Sequence, residues 1–121
     1  MAIIVDDTAA LTTSNAGMRL MAQQMLYNRG DFARLRDFIG ESYTPEALED
    51  QPAEDRLAIF ESMLDTIGKL RVQQVIASSK HQAVVLMAAQ GDGAFYMHQI
   101  SVGEDYPHKI SAYSVQPLGE N

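Results

Sequence analysis

By side-chain type, His98 is the residue in this chain best suited to move a proton, because imidazole titrates near neutral pH. Tyr96 lies two positions before it in the same apolar run, so on a strand the two share a face. Met87, in the preceding apolar run, joins that face if the runs pair as a hairpin. Tyr113 further on and Tyr43 upstream are the phenols best placed to satisfy a buried imidazole. These five residues are the candidate lining of a pocket. A catalytic histidine needs an orienting carboxylate, and none is near His98 in sequence. The pattern therefore describes a histidine satisfied by a tyrosine or a backbone group, and no catalytic residue is assigned.

Other reactive types are thinly spread. His81 and His108 fall in predicted loops, and with His98 they show none of the short spacings of a metal site. There is no cysteine, hence no disulfide, thiolate nucleophile or cysteine-bound zinc. Glu104-Asp105 is an acid pair in a loop open to water. Gly91-Asp92-Gly93 lacks the helix and lysine of a phosphate cradle. Asp37 can offer a carboxylate to a pocket or pair with Arg34 or Arg36 at the surface. Thr12, Thr13 and Ser14 have no histidine partner at a recognisable spacing. The methionines at 18, 21, 25, 63, 87 and 97 suit core filling, or an adaptable ligand pocket. Neither a metal nor a cofactor is expected.

The elements that must position these side chains follow from period and punctuation. Ser14 and Asn15 are N-cap types ahead of Met18, Met21, Ala22, Met25 and Leu26 at helical spacing, and Gly30 supplies a left-handed stop. Asp31 caps a second helix with Phe32, Leu35, Phe38 and Ile39 on its apolar face, and Gly40 is expected to close it. Thr44-Pro45 starts a short turn of helix. Gln51-Pro52 restarts the signal for a helix to about Ile67, ended by Gly68. From Lys69 the period becomes two, which predicts a strand near 70–77, two hairpin strands at 82–90 and 94–102, and a last strand at 109–116. With Asp92-Gly93 as a two-residue turn, Tyr96 would lie opposite Ala89 and His98 opposite Met87.

The 121 residues suffice for one domain. Residues 1–17 are expected to be a flexible or docking arm, and 18–118 a single domain. No run approaches the ~20 apolar residues of a membrane span, and Met1–Thr13 is not a secretory signal, so a cytoplasmic protein is expected. Net charge is −7, and residues 29–66 hold ten acids against four bases. No cluster of Lys and Arg exists to displace counterions from a duplex, which argues against nucleic acid. Both faces of the hairpin are apolar, and helices can cover only one. A second copy of the chain against the outer sheet face is the simplest cover.

Three helical segments followed by a strongly apolar antiparallel sheet resembles the nuclear-transport-factor-2-like superfamily, a cystatin-like α+β cone. The residues carrying the resemblance are Tyr27-Asn28-Arg29-Gly30-Asp31 with Leu35 and Phe38, then Tyr43 to Leu48, Pro52 to Arg56, Gly68-Lys69-Leu70, and Pro107 to Ile110. They are most similar to a small domain attached to bacterial serine hydrolases and tail-processing peptidases. The resemblance implies helices on one face of a curved four-stranded antiparallel meander. The reading adopted beside it is a non-catalytic module, a homodimer through the outer sheet face that binds a small apolar ligand or a protein. The alternative is an isomerase, dehydratase or cyclase using His98 and Tyr96 in the cone.

Overall fold

The computed structural model describes residue 11 and residues 13–118. Helices α1 (Asn15–Arg29), α2 (Phe32–Ser42), α3 (Pro45–Asp50) and α4 (Ala53–Ile67) precede strands β1 (Leu70–Ser78), β2 (Gln82–Ala89), β3 (Phe95–Val102) and β4 (Ile110–Pro117). The strands form one antiparallel sheet in the order β1-β2-β3-β4, so the fold is the α+β meander that the periodicity predicts. The helix starts follow local chemistry. The Ser14 hydroxyl accepts from Gly17 N, Asp31 Oδ1 from Arg34 N and Thr44 Oγ1 from Ala47 N, each satisfying a donor that a first turn leaves free.

Two boundaries differ from the sequence reading. Gly40 does not close α2, which continues to Ser42. The helix stops where the chain is drawn onto the sheet edge: Tyr43 bridges Ile110, and Thr44 N donates to Ile110 O at 2.8 Å. The helical part of the chain also begins before residue 18. Leu11 is buried in the core, and α1 starts at Asn15. Its start is tied to the turn between β1 and β2 by Asn15 N to Lys80 O and Ser14 Oγ to Ser79 O. The rest of the expected arm, residues 1–10 and 12, lies outside the described residues.

Helix α1 lies across the inner face of the sheet. Its Leu20, Gln23 and Tyr27 are buried with Val85, Met87, His98 and Ile100 from β2 and β3. Asn28 clamps it to the first strand, donating to Leu70 O at 2.7 Å and accepting from Leu70 N at 2.8 Å. Helix α4 packs chiefly on α2. Its far end meets the hairpin.

That meeting corrects the hairpin register. Gln90 N donates to Lys69 O, just before β1, and Gly91 N to Ile67 O at the end of α4, so neither amide serves the β2–β3 ladder. Ala89 and Ala94 close the turn, which therefore has four residues where two were expected. His98 consequently pairs with Val85, and Tyr96 with Met87. The shift is two residues, one full pleat period, so every side chain keeps its expected face. Contact is backbone to backbone. A Cβ on Gly91 would lie 2.6 Å from Ile67 O, and one on Gly68 would lie 2.9 Å from Gly91 N.

Gly91→Ala is expected to lower stability by on the order of 2 kcal/mol, since no flexible side chain can move aside to relieve the clash. Gly40→Ala, in a helix interior with nothing within 4 Å of the new methyl, is expected to raise stability by about 0.5–1 kcal/mol. Urea unfolding of both variants checks the pair; equal midpoints would contradict both assignments.

Candidate ligand-binding cavity

Between α4 and the β3–β4 side of the sheet lies an open cavity of about 620 Å³. Ile59, Phe60, Met63, Thr66 and Ile67 line it from α4, and Tyr96, Tyr113, Val115 and Pro117 from the strands. Tyr43, Gln51, Arg56, Ser62 and Ser114 complete it. The cavity exists because α4 touches the rest of the molecule at its ends and near its middle. The Ile67–Gly91 contact holds the C-terminal end. Phe60 holds the middle, stacking between Tyr27 and Tyr113 with ring centroids 6.0 Å from each. Near the N-terminal end, Arg56 reaches back to α3 and to Gln51.

Of the five candidate residues, Tyr43, Tyr96 and Tyr113 line this cavity. His98 and Met87 do not. They border a separate void of about 10 Å³ under α1, with Tyr113 between the two spaces. His98 is 1% exposed, and its Nδ1 lies 2.8 Å from the hydroxyl of Tyr113, one of the two phenols expected from sequence; the other, Tyr43, bonds Gln23 instead. Its Nε2 is buried without a hydrogen-bond partner. Burial pushes the imidazole down to about 4, so it is neutral at physiological pH. The same burial drives the Tyr113 hydroxyl well above the usual phenol range.

Tyr96 shares the face of His98 but serves the turn. Its hydroxyl donates to Asp92 Oδ2 at 2.6 Å, which raises the tyrosine and lowers the carboxyl. Tyr43 is buried; its hydroxyl donates to Gln23 Oε1 at 2.5 Å, and the Arg56 guanidinium sits 4.6 Å above its ring. Burial raises its hydroxyl, against a partly opposing effect of the Arg56 charge. The loop histidines His81 and His108, far apart in sequence, stack with centroids 5.5 Å apart. Among the described residues no group of three His, Cys, Asp or Glu is arranged to hold a metal ion. No helix there is long and apolar enough to cross a membrane.

Arg56 is the functional candidate that sequence reasoning missed. It follows Glu54 and Asp55 in an acidic run and looks like one of a solvated set of charges. In the fold it is 9% exposed. Its Nε donates to Gln51 O and its Nη2 to Ala47 O, each at 2.8 Å. Pro52, the turn-former just upstream, was the available signal: it folds the chain back so that the first turn of α4 faces the end of α3.

Comparison with protein-family models, with curated proteins and with solved structures finds no match.

Because His98 stays neutral when folded, stability should fall as pH drops from 6.5 toward about 4. In that window the unfolded chain holds a proton on His98 that the folded chain refuses. The loss between about pH 7.5 and pH 4.5 should reach roughly 2–3 kcal/mol from this group. His98→Gln should cost about 1 kcal/mol at neutral pH and flatten the slope. Urea midpoints across that range measure it; a variant as pH-sensitive as the wild type would contradict the assignment.

Proposed function

We propose that this protein is a non-catalytic binding module of the nuclear-transport-factor-2-like type that takes a small apolar ligand and works as a homodimer. The observation that carries the reading is the cavity of about 620 Å³ with largely apolar walls. Its size falls within the range of small-molecule sites, whereas a domain serving only as packing would fill that space with side chains. Helices preceding a four-stranded meander, with the opening between them, are the arrangement the superfamily resemblance implies. An isomerase or dehydratase would need an acid–base group reaching the cavity. Among the described lining residues the ionisable groups are Arg56 and three tyrosines, and His98 stands behind Tyr113.

The dimer reading is supported by the outer sheet face. Val84, Leu86, Ala88, Phe95 and Met97 form its centre, and none of them is fully buried. Gln74, Gln99, Ser114 and Gln116 flank them, with the charged Arg71 opposite Ala88 at one edge. An apolar centre with a mostly uncharged polar border suits a self-complementary contact.

Nile red, an uncharged apolar dye, is expected to bind the wild type and to bind severalfold more weakly to Val115→Trp, which narrows the cavity. Dye binding unchanged in this variant, or absent from the wild type, would overturn the ligand reading. Light scattering is expected to give about twice the 13.4 kDa chain mass, reverting to monomer in Leu86→Arg. A wild-type monomer at micromolar concentration would end the dimer reading.

A further inference from the structure

We propose that the ligand is an amphipathic monocarboxylate, its anionic head on Arg56 and its apolar body along α4. The inference rests on the cavity being the binding site. It starts from a charge without a counter-ion. Among the described residues the ion pairs are Arg34–Asp31 and Arg36–Glu54, both at the surface. Arg56 is the buried cation among the described residues, and no described carboxylate pairs with it. Acids are not scarce: the chain has sixteen against nine bases, ten of them between residues 29 and 66. A buried guanidinium loses hydration that carbonyls and a ring face restore only in part.

The guanidinium is also held in one orientation. The bonds to Ala47 O and Gln51 O use two of its five N–H donors, and the Tyr43 ring supports its plane. A fixed planar fork matches a carboxylate, whose two oxygens can accept in parallel. Arg56 itself lines the cavity. From there the lining continues to Ile67, roughly 16 Å along the helix axis at 1.5 Å per residue. Ile59, Phe60, Met63, Val115 and Pro117 make that path apolar. One cation at one end of an apolar trough fits one anionic head on an apolar body. A net charge of −7 disfavours the approach of multiply charged anions.

Displacement of bound Nile red by decanoate and by its uncharged methyl ester tests this. Decanoate should displace the dye at roughly ten- to hundred-fold lower concentration than the ester, as expected of a charge-assisted fork. Arg56→Gln should abolish that preference while still binding Nile red. If circular dichroism shows that Arg56→Gln does not fold, Arg56→Lys replaces it; it keeps the charge without the planar fork and should reduce the preference severalfold. Equal displacement by acid and ester in a wild type that binds the dye would overturn the carboxylate and leave the cavity reading standing. A decanoate preference unchanged in a folded Arg56 variant would also overturn it. Failure of the wild type to bind Nile red at all would remove both readings together.

Discussion

The rest of the molecule depends on a contact between two stretches of backbone, Ile67-Gly68 at the end of α4 and Gln90-Gly91 at the tip of the β2–β3 hairpin. Gly91 N donates to Ile67 O at 2.7 Å, an approach that no side chain at either glycine would permit. The hairpin amides spent here are unavailable to the sheet, and this sets the length of the turn and the register of the two central strands. The contact also fixes where α4 ends relative to the sheet. A helix pinned at that point, and resting on Tyr113 through Phe60, leaves space between its remaining side chains and β4.

The aromatic series Tyr27, Phe60, Tyr113 and His98 crosses the molecule from α1 through α4 to β4 and β3, with successive ring centroids about 6 Å apart. Its members fill the core and form a partition. On one side of Tyr113 lies the open cavity; on the other, His98 and Met87 under α1. The Tyr113 hydroxyl therefore partners the His98 Nδ1 and also keeps the imidazole from reaching the cavity, while Nε2 stays unpaired among the described residues. Burial suppresses its charged form, so this histidine stabilises the fold as a neutral group and is unsuited to acid–base work near neutrality.

Charge is distributed with the same economy. The surface pairs of α2 and α4 are exposed and contribute little. Arg56 is different because it is built in: two backbone carbonyls and an aromatic face hold it where the helices meet. The carbonyl of Gln51 is the C-cap carbonyl that the end of the short α3 helix presents, so a cation there also complements the helix dipole.

Much of this architecture is legible in the chain itself. Ser14, Asp31 and Thr44 cap helices because a side-chain oxygen a few atoms from its own backbone acts locally, whatever surrounds it. Alternation in 82–102 assigns each strand residue its face, and a two-residue register error leaves that assignment intact because the pleat repeats every two residues. The pairing of His98 with Tyr113 was also foreseeable, since both sit on inner faces of neighbouring strands. What the chain alone could not decide depends on groups distant in sequence. The turn has four residues because the helix end and the start of β1, over twenty positions earlier, claim two of its amides. Gly40 lies within a helix because Tyr43 and Thr44 are held by Ile110, so the stop falls where the sheet edge captures the chain. Arg56 has the same local sequence whether solvated or buried. Only the packing of α4 against α3 removes it from water and aims it at a cavity, because burial is a property of the assembled surface and not of neighbours along the chain.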